Sequence, residues 1–217
     1  MTLFSVPGPG HRADSYADAP PARERILAAA LTAFSSGGFQ GASTRQIARD
    51  ARVTHQLVTH YFATKQALWE AVVNSVFEPF GTAIYNRFEG LRGVEPRTVA
   101  KLVMKEFVVK SAQQPELNRI VLQEAKAGGD RMGWLVATHV IPFRDLIIRL
   151  LAPLGVRDGD PALAGVYYAL IGAGATIFSA AQECRLLFGT DPFERSFVED
   201  HAERVAEMVL ASIERHK

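Results

Sequence analysis

Apolar residues recur at helical spacing along most of the chain after residue 20. The first run lies between residues 20 and 36 and comprises Ile26, Leu27, Ala30, Leu31 and Phe34. The intervals i, i+1, i+4, i+5 and i+8 place these side chains on one stripe of an alanine-rich helix. Gly37 and Gly38 predict the end of this helix, because glycine readily takes the left-handed conformation of a helix cap.

Residues 43–65 have the pattern of two short helices joined by a tight turn. Ser43 followed by Gln46 is a capping box, in which each side chain satisfies a free backbone N–H beside the other residue. We expect the turn at Arg52 and Val53, and Thr54 as the N-cap of a second helix over residues 55–62. The apolar undersides come from Ile47, Ala48, Ala51, Leu57 and Val58.

Longer helices are predicted for the rest of the chain. Thr64 is a good N-cap for the first of them, which ends near Gly90 and Gly93. The others are expected at residues 96–113, 115–127, 131–151 with an interruption at Pro142, 161–187 and 192–215. Four of these segments place proline at or near the first turn, where its missing N–H costs nothing. Asp191 and Glu194 form a second capping box before the last helix.

The pattern predicts an all-α protein, because no alternating apolar and polar run with turn residues indicates a strand. We divide it into a disordered leader at residues 1–20, rich in Pro, Gly, Asp and Ser, a three-helix helix-turn-helix domain at residues 21–66, and a C-terminal helical bundle at residues 67–217.

The charge of the chain is nearly balanced overall but uneven along its length. The 217 residues carry a formal net charge of +1. Residues 20–66 carry six basic side chains (Arg23, Arg25, Arg45, Arg49, Arg52, Lys65) and two acidic ones (Glu24, Asp50), an excess of four. Such a basic segment on a near-neutral protein favours a domain that binds a polyanion.

We expect a cytoplasmic protein with no membrane contact. The start lacks the basic and apolar regions of a signal peptide, and a single cysteine, Cys184, suits a reducing compartment. Residues 161–182 are uncharged and long enough to cross a bilayer. They include Thr176, Ser179 and Gln182 and no basic cluster flanks them, so we interpret them as a buried or subunit-interface helix.

The sequence offers no pattern for catalysis. A phosphate-binding loop, a GxSxG motif and an HExxH motif are all absent from it, and His55 and His60 are five apart, off the i,i+4 spacing of a helical metal pair. Gly172 and Gly174 lie in an apolar helix without a preceding strand, so they are not a dinucleotide fingerprint. We expect no catalytic residue, metal or cofactor.

The polar side chains of residues 43–65 are instead of the types that contact DNA phosphates and bases. A helix-turn-helix places the start of its second helix in the major groove, while neighbouring hydroxyls and backbone N–H groups contact phosphates. Gln56 can read adenine through paired hydrogen bonds. The predicted DNA-binding residues are Ser43, Thr44, Arg45, Thr54, His55, Gln56, Thr59, His60, Tyr61 and Lys65.

The run STRQIARDARVTHQLVTHYFATKQALWEAV resembles the DNA-binding domain of the TetR family of transcriptional repressors. The resemblance covers residues 22–75 and includes the pairs Ile47-Ala48 and Val53-Thr54 and the segments His60-Tyr61-Phe62 and Thr64-Lys65-Gln66. Three positions depart from the family pattern. Arg52 replaces the usual turn glycine, Gln56 replaces a small residue, and Thr59 stands where a phosphate-contacting tyrosine is common, so Tyr61 and Lys65 carry more weight.

The resemblance implies a homodimer and a small-molecule inducer. The last two helices, at residues 161–215, would form the dimer interface, with small residues for close approach and apolar faces beside them. The small residues are Gly165, Ala169, Gly172, Ala173 and Ala180, and the apolar ones are Phe193, Phe197, Val205 and Val209. The inducer pocket is predicted among Phe107, Gln123, Trp134, His139, Phe143, Tyr167, Tyr168, Phe178 and Gln182.

Two functions remain to be weighed. The first is a transcriptional regulator, expected to be a repressor, that binds operator DNA as a dimer. A small molecule bound in its C-terminal domain would release it from the DNA. The alternative is an all-α module that binds small molecules or proteins and whose helix-turn-helix is only structural. Exposure of the predicted DNA-binding side chains on one surface distinguishes the two.

Overall fold

A computed structural model describes residues 20–214, and helices make up its regular structure. The expected leader at residues 1–20 lies outside the described residues, apart from Pro20. The α-helices are α1 (Ala22–Gly41), α2 (Thr44–Asp50), α3 (His55–Tyr61), α4 (Lys65–Glu89), α5 (Pro96–Gln113), α6 (Pro115–Ala127), α7 (Asp130–Leu135), α8 (Ile141–Leu151), α9 (Pro161–Ser179), α10 (Ala181–Phe188) and α11 (Arg195–Glu214). The all-α prediction is confirmed.

The regular part of helix α1 ends at Gly37 and Gly38, as the sequence predicts. Gly38 has φ 66°, a left-handed value, and breaks the helix before a final short turn. This break directs Phe39 back onto the domain, where its ring stacks on Phe34 at 6.0 Å and meets Trp69 edge-on at 6.5 Å. The reversal at Gly38 thus fixes the exit of α1 against the first turns of α4.

The first half of α4 belongs to the same hydrophobic core as the N-terminal helices. Trp69, Val72 and Val73 are buried with residues of α1, α2 and α3. Ile120 of α6 and Leu135 of α7 complete this core. Packing therefore continues across residue 66, where we placed the domain boundary.

The C-terminal helices enclose a second core. Helix α11 packs against α5 and α9, and its apolar stripe includes Val205, Val209 and Ile213. Along the outer edge of α5 and α11, Lys105 contacts Glu203 at 2.7 Å and Lys101 contacts Glu207 at 2.6 Å. Hydrogen bonds from Lys101 and Lys105 lower the pKa of Glu203 to about 2.

The predicted interruption at Pro142 takes a different form. Residues 130–151 form one continuous helical segment, in which Val136–Val140 make a π-helical turn just before Pro142. Proline removes one backbone donor and its ring crowds the carbonyl four residues earlier. The wider π-turn accommodates both effects, so the chain bulges instead of breaking.

The last two helices of the structure begin and end at residues other than those we predicted. Residues 161–187 divide at Ala180 into α9 and α10. The final helix begins at Arg195, because the Asp191 side chain accepts a hydrogen bond from the Phe193 N–H at 3.2 Å and shapes a turn instead of a capping box. Asn and Asp side chains often compete with helix formation in this way.

Val205 and Val209 do not offer an external apolar face. Both are buried in the core between α11 and the helices it contacts, and Phe193 packs against the same core. Val205 and Val209 were expected at the dimer interface, so that part of the prediction is wrong. Phe193 is only partly buried, and its place at a dimer interface stays a prediction. Helical spacing alone cannot tell an intramolecular apolar stripe from an intermolecular one.

Helix α9 is long and apolar enough, by length and composition, to cross a membrane. In the structure Leu163, Val166, Leu170 and Phe178 pack into the C-terminal core. This packing accounts for the apolar character of one side of α9 without a bilayer.

We expect Gly174→Ala to destabilise the protein by about 1–3 kcal/mol, since overpacked cores cost this much. A Cβ at Gly174 would lie 2.9 Å from Cε1 of Phe107 and 3.2 Å from Cγ2 of Val108. Urea unfolding followed by circular dichroism measures the change. Gly81→Ala is the matched control: its Cβ would meet no atom within 4 Å, so better helix propensity should stabilise α4 by about 0.5–1 kcal/mol. Equal effects of the two substitutions would contradict the packing argument.

Candidate nucleic-acid interface and effector cleft

The start of α2 is fixed by Ser43, whose Oγ accepts the Gln46 N–H at 3.4 Å. The other half of the predicted capping box is wrong. The Gln46 side chain instead donates to Asp50 Oδ1 at 2.7 Å and accepts a hydrogen bond from Arg49. Charged partners one turn along α2 offer Gln46 stronger hydrogen bonds than a neutral backbone N–H does.

The turn between α2 and α3 depends on Arg52, whose φ is 55°. Its N–H donates to the Arg49 carbonyl at 3.0 Å, and the Val53 N–H donates to the Ala48 carbonyl at 3.0 Å. These bonds close α2 in the manner of a left-handed C-cap. An L-residue in this conformation is strained, which explains why glycine is the residue expected at this position.

Helix α3 is held by a few apolar side chains and presents polar ones. Thr54 Oγ1 accepts the Leu57 N–H at 3.2 Å, which confirms the predicted N-cap. Val58 is buried beneath the helix. The outer side presents His55, Gln56, Thr59, His60 and Tyr61, all exposed.

The N-termini of α2 and α3 lie side by side. Thr44 Oγ1 and His55 Nε2 form a hydrogen bond of 3.2 Å between the first residues of the two helices. Because free backbone N–H groups point out of helix N-termini, this juxtaposition creates a single surface that favours anions. Arg45 is exposed beside it.

Lys65 begins α4 and lies against the end of α1. Its Nζ donates to the Gln40 carbonyl at 3.4 Å and lies 4.7 Å from the centroid of the Phe39 ring. Burial lowers the pKa of Lys65, and the charge of Arg131 lowers it further. Thr64 Oγ1 accepts the Ala67 N–H at 3.0 Å and so sets the direction of α4.

The structure brings the predicted DNA-binding residues together from three neighbouring segments, none of them buried. Thr44 and Lys65 are half-buried, and the others are exposed. The Thr59 hydroxyl donates to the Gln56 carbonyl at 2.9 Å. Because that hydroxyl proton is already used, Tyr61 is the better candidate donor to a phosphate. Arg23, which we did not predict as a site residue, is also exposed, and its guanidinium carbon lies 5.6 Å from the centroid of the Phe62 ring. No local sequence pattern reveals this contact between distant positions.

A separate cleft of about 360 Å³ opens in the C-terminal domain between α4, the π-turn and α8. Its lining includes Phe77, Gly81 and Tyr85 of α4, Thr138 and His139 of the π-turn, and Phe143 of α8. His139 Nε2 donates to Asn74 Oδ1 at 2.8 Å. Burial lowers the pKa of His139, and the nearby charge of Glu78 offsets part of this.

The predicted pocket residues divide into those near this cleft and those elsewhere. His139 and Phe143 line it, and Phe107, Trp134 and Tyr167 contact those two rings. Burial raises the pKa of Tyr167 to about 12.

The other four predicted pocket residues lie away from the cleft. Gln123 lines an open groove beside Ser35 and Arg119. Phe178 is fully buried against Phe193, while Tyr168 and Gln182 are exposed. Side-chain type alone could not separate these environments.

Two short capped helices with a buried underside and an exposed polar face define the class of protein: the chain has a helix-turn-helix DNA-binding domain. Residues 26–72 match the family model for bacterial regulatory proteins of the tetR family. Over 118 residues the chain is 29% identical to the HTH-type transcriptional regulator BetI of Serratia proteamaculans, covering 46% of this chain and 60% of that relative. The alignment thus spans less than two thirds of the relative's length.

The fold is shared over a much larger part of the chain. A TetR-like transcriptional regulator from Rhodococcus sp. RHA1 superposes with a TM-score of 0.64 at 21% identity, covering 91% of this chain and 97% of the other. The fatty acid degradation regulator FadR from Bacillus halodurans gives a TM-score of 0.66 at 14% identity, covering 86% and 97%. The N-terminal part of the chain is thus similar in sequence to TetR-family transcriptional regulators, and the described residues share the fold of TetR-like structures.

We expect Arg52→Gly to stabilise the helix-turn-helix domain by up to about 1 kcal/mol, because glycine relieves the left-handed strain. The free energy of unfolding in urea measures this effect. Arg49→Gly is the control, since it also replaces an exposed arginine but lies in the regular part of α2, where glycine costs about 1 kcal/mol. Destabilisation by both substitutions would show that the φ of Arg52 is not a source of strain.

Proposed function

We propose that this chain is a cytoplasmic transcriptional repressor that binds operator DNA as a homodimer and is released by a small molecule. The observation that carries the proposal is the contact between Thr44 and His55, which joins the starts of α2 and α3 on one exposed surface. Two helix N-termini beside exposed basic side chains suit a phosphate backbone.

On this surface the residues have separate roles. Thr44, Arg45, Tyr61 and Lys65 contact phosphates and set the position of the domain on the duplex. Gln56, exposed at the start of α3, enters the major groove and reads a base edge through its amide. The excess of four basic residues in residues 20–66 adds long-range attraction to DNA.

The outer face of α9 supports a homodimer. Its exposed residues are uncharged and small around one aromatic side chain: Ala164, Gly165, Tyr168, Gly172 and Thr176. Tyr168 is 71% exposed, and Leu186, Leu187 and Phe188 of α10 are 77%, 65% and 74% exposed. An apolar surface of this kind favours a second copy of the chain over water. The two α3 helices would then sit roughly 34–36 Å apart on successive major grooves.

The cleft between α4 and α8 is the proposed effector site. Apolar side chains form much of its wall, and His139 and Thr138 provide polar groups that fix the orientation of a ligand. The charged residues Glu78, Asp145 and Arg149 also line the cleft. Because the hydrogen bond from Nε2 goes to Asn74, the neutral His139 keeps Nδ1 as an acceptor. A mainly apolar molecule with a hydrogen-bond donor fits this chemistry.

The alternative, a small-molecule or protein-interaction module with a purely structural helix-turn-helix, is less well supported. A structural unit would gain by burying or pairing its polar face. Here His55, Gln56, His60 and Tyr61 are exposed together, and Tyr61 is 43% exposed. Exposed aromatic and polar side chains grouped on one face favour a binding function.

We expect the protein to select a duplex from a random-sequence pool, and we expect two variants to respond differently. Lys65→Ala should weaken binding about equally for every sequence and reduce the salt dependence by about one phosphate contact, since it removes a single charge. Gln56→Ala should cost about 1–3 kcal/mol on the selected duplex and much less on unrelated DNA. Fluorescence anisotropy at several salt concentrations measures both. A uniform loss for Gln56→Ala on all sequences would remove it from base reading.

We expect Gly172→Glu to convert the dimer into monomers, because it places a charge at the centre of the α9 face. A Cβ there meets no atom within 4 Å, so the fold should tolerate it. Sedimentation velocity measures the mass in solution. Gly133→Glu, also at an exposed helical glycine with open space, is the control and should leave the dimer intact. A dimer that persists in Gly172→Glu would place the interface on another surface.

A further inference from the structure

A cluster of charges connects the C-terminal domain to the start of α4. Glu124 of α6 is only 2% exposed and accepts a hydrogen bond from Arg131 Nε at 3.0 Å. The Arg131 guanidinium carbon lies 4.0 Å from the centroid of the Phe39 ring, the same ring that Lys65 Nζ approaches to 4.7 Å. Arg131 is thus held between a buried carboxylate and the aromatic ring that supports Lys65.

The arrangement makes Lys65 sensitive to the position of Arg131. Two cations near one ring repel each other, and this repulsion contributes to the lowered pKa of Lys65. Glu124 offsets part of the cost of holding Arg131 there, because the buried carboxylate requires a cationic partner. Any movement of Arg131 changes the electrostatic field at Lys65.

Arg131 lies on the helical segment that also forms one wall of the cleft. Trp134 of α7 packs against Trp69 of α4, with ring centroids 5.4 Å apart, and its other neighbour is His139 of the π-turn at 5.6 Å. A π-turn contains one more residue than an α-helical turn. Its conversion to regular helix would rotate α7 by about 100° and shift it by about 1.5 Å relative to α8. A change at the π-turn therefore reaches Arg131 directly through α7.

We propose that Arg131 couples occupancy of the cleft to the phosphate contact of Lys65. A molecule in the cleft displaces the π-turn, α7 moves, and Arg131 leaves the ring of Phe39. The positive field beside the DNA surface then falls and the operator is released. This inference rests on the proposed function and adds a regulatory mechanism to it.

Gly81→Leu imitates an occupied cleft without a known ligand. Gly81 lines the cleft, and a Cβ there meets no atom within 4 Å, so the larger side chain can fill the open space. Gly81→Ala, which adds a Cβ but leaves the cleft open, is the matched control. Thr138→Phe, on the opposite wall, is a second filling variant should Gly81→Leu fail to fold.

The test is a double-mutant cycle in the full chain, with the duplex selected by the wild-type protein as probe. Gly81→Leu should weaken DNA binding about tenfold in the wild-type background. In the Glu124→Gln and Arg131→Gln background, which keeps a hydrogen-bonded pair but removes both charges, it should weaken binding less than twofold. An equal loss in both backgrounds, or no loss in the wild-type background, would overturn the proposal.

A second readout does not involve DNA. The pKa of Lys65, followed by NMR of ¹³C-methylated lysines, should rise in Gly81→Leu because Arg131 moves away, and Lys101 on α5 should not change. If the wild-type protein selects no duplex while the pKa of Lys65 still rises in Gly81→Leu, the proposed DNA function fails and the coupling stands. If that pKa is unchanged in a folded Gly81→Leu or Thr138→Phe protein, the coupling fails.

Discussion

The structure depends on the burial of Trp69 in the first turns of α4. This side chain is 1% exposed and contacts Phe39 from the end of α1 and Trp134 from α7. Replacement of a buried tryptophan by alanine lowers the free energy of unfolding by about 3–5 kcal/mol. This one residue therefore packs the helix-turn-helix domain, α4 and α7 against one another, so that a shift of any one of them requires repacking of the others.

This shared core also supports the exposed polar surface of α2 and α3. The two helix N-termini that meet at Thr44 and His55 are rigid because their undersides pack on the same core as Trp69. Thr44 and His55 are joined by a hydrogen bond, so these two side chains lose little conformational entropy when they meet a fixed partner. Arg52 contributes a strained turn within this rigid unit.

The family relationship is visible at different levels in the two parts of the chain. Residues 26–72 match the family model in sequence, whereas the rest resembles solved TetR-like structures in fold at low identity. The physical reason is that the caps and the turn of a helix-turn-helix require specific residue types at fixed spacing. A helical core accepts many apolar combinations of suitable volume, and a ligand cleft changes with its ligand.

The sequence by itself determined most of the helices, the N-caps at Ser43, Thr54 and Thr64, and the turn at Arg52, because these depend on interactions within a few residues. It also identified the helix-turn-helix domain, because the residues that form its caps, turn and underside lie in one continuous stretch. Only the tertiary structure decided that Val205 and Val209 face an internal core, and that Pro142 follows a π-turn.

Only the tertiary structure could join the neighbouring pair Glu124 and Arg131 to Phe39 and Lys65, which lie in a distant part of the chain. The same holds for the cleft, since helical periodicity predicts that a side chain is buried but not which helix covers it. Interactions between residues close in the chain determine the helices and where they begin and end. The partners of each buried or charged side chain depend on how the helices pack.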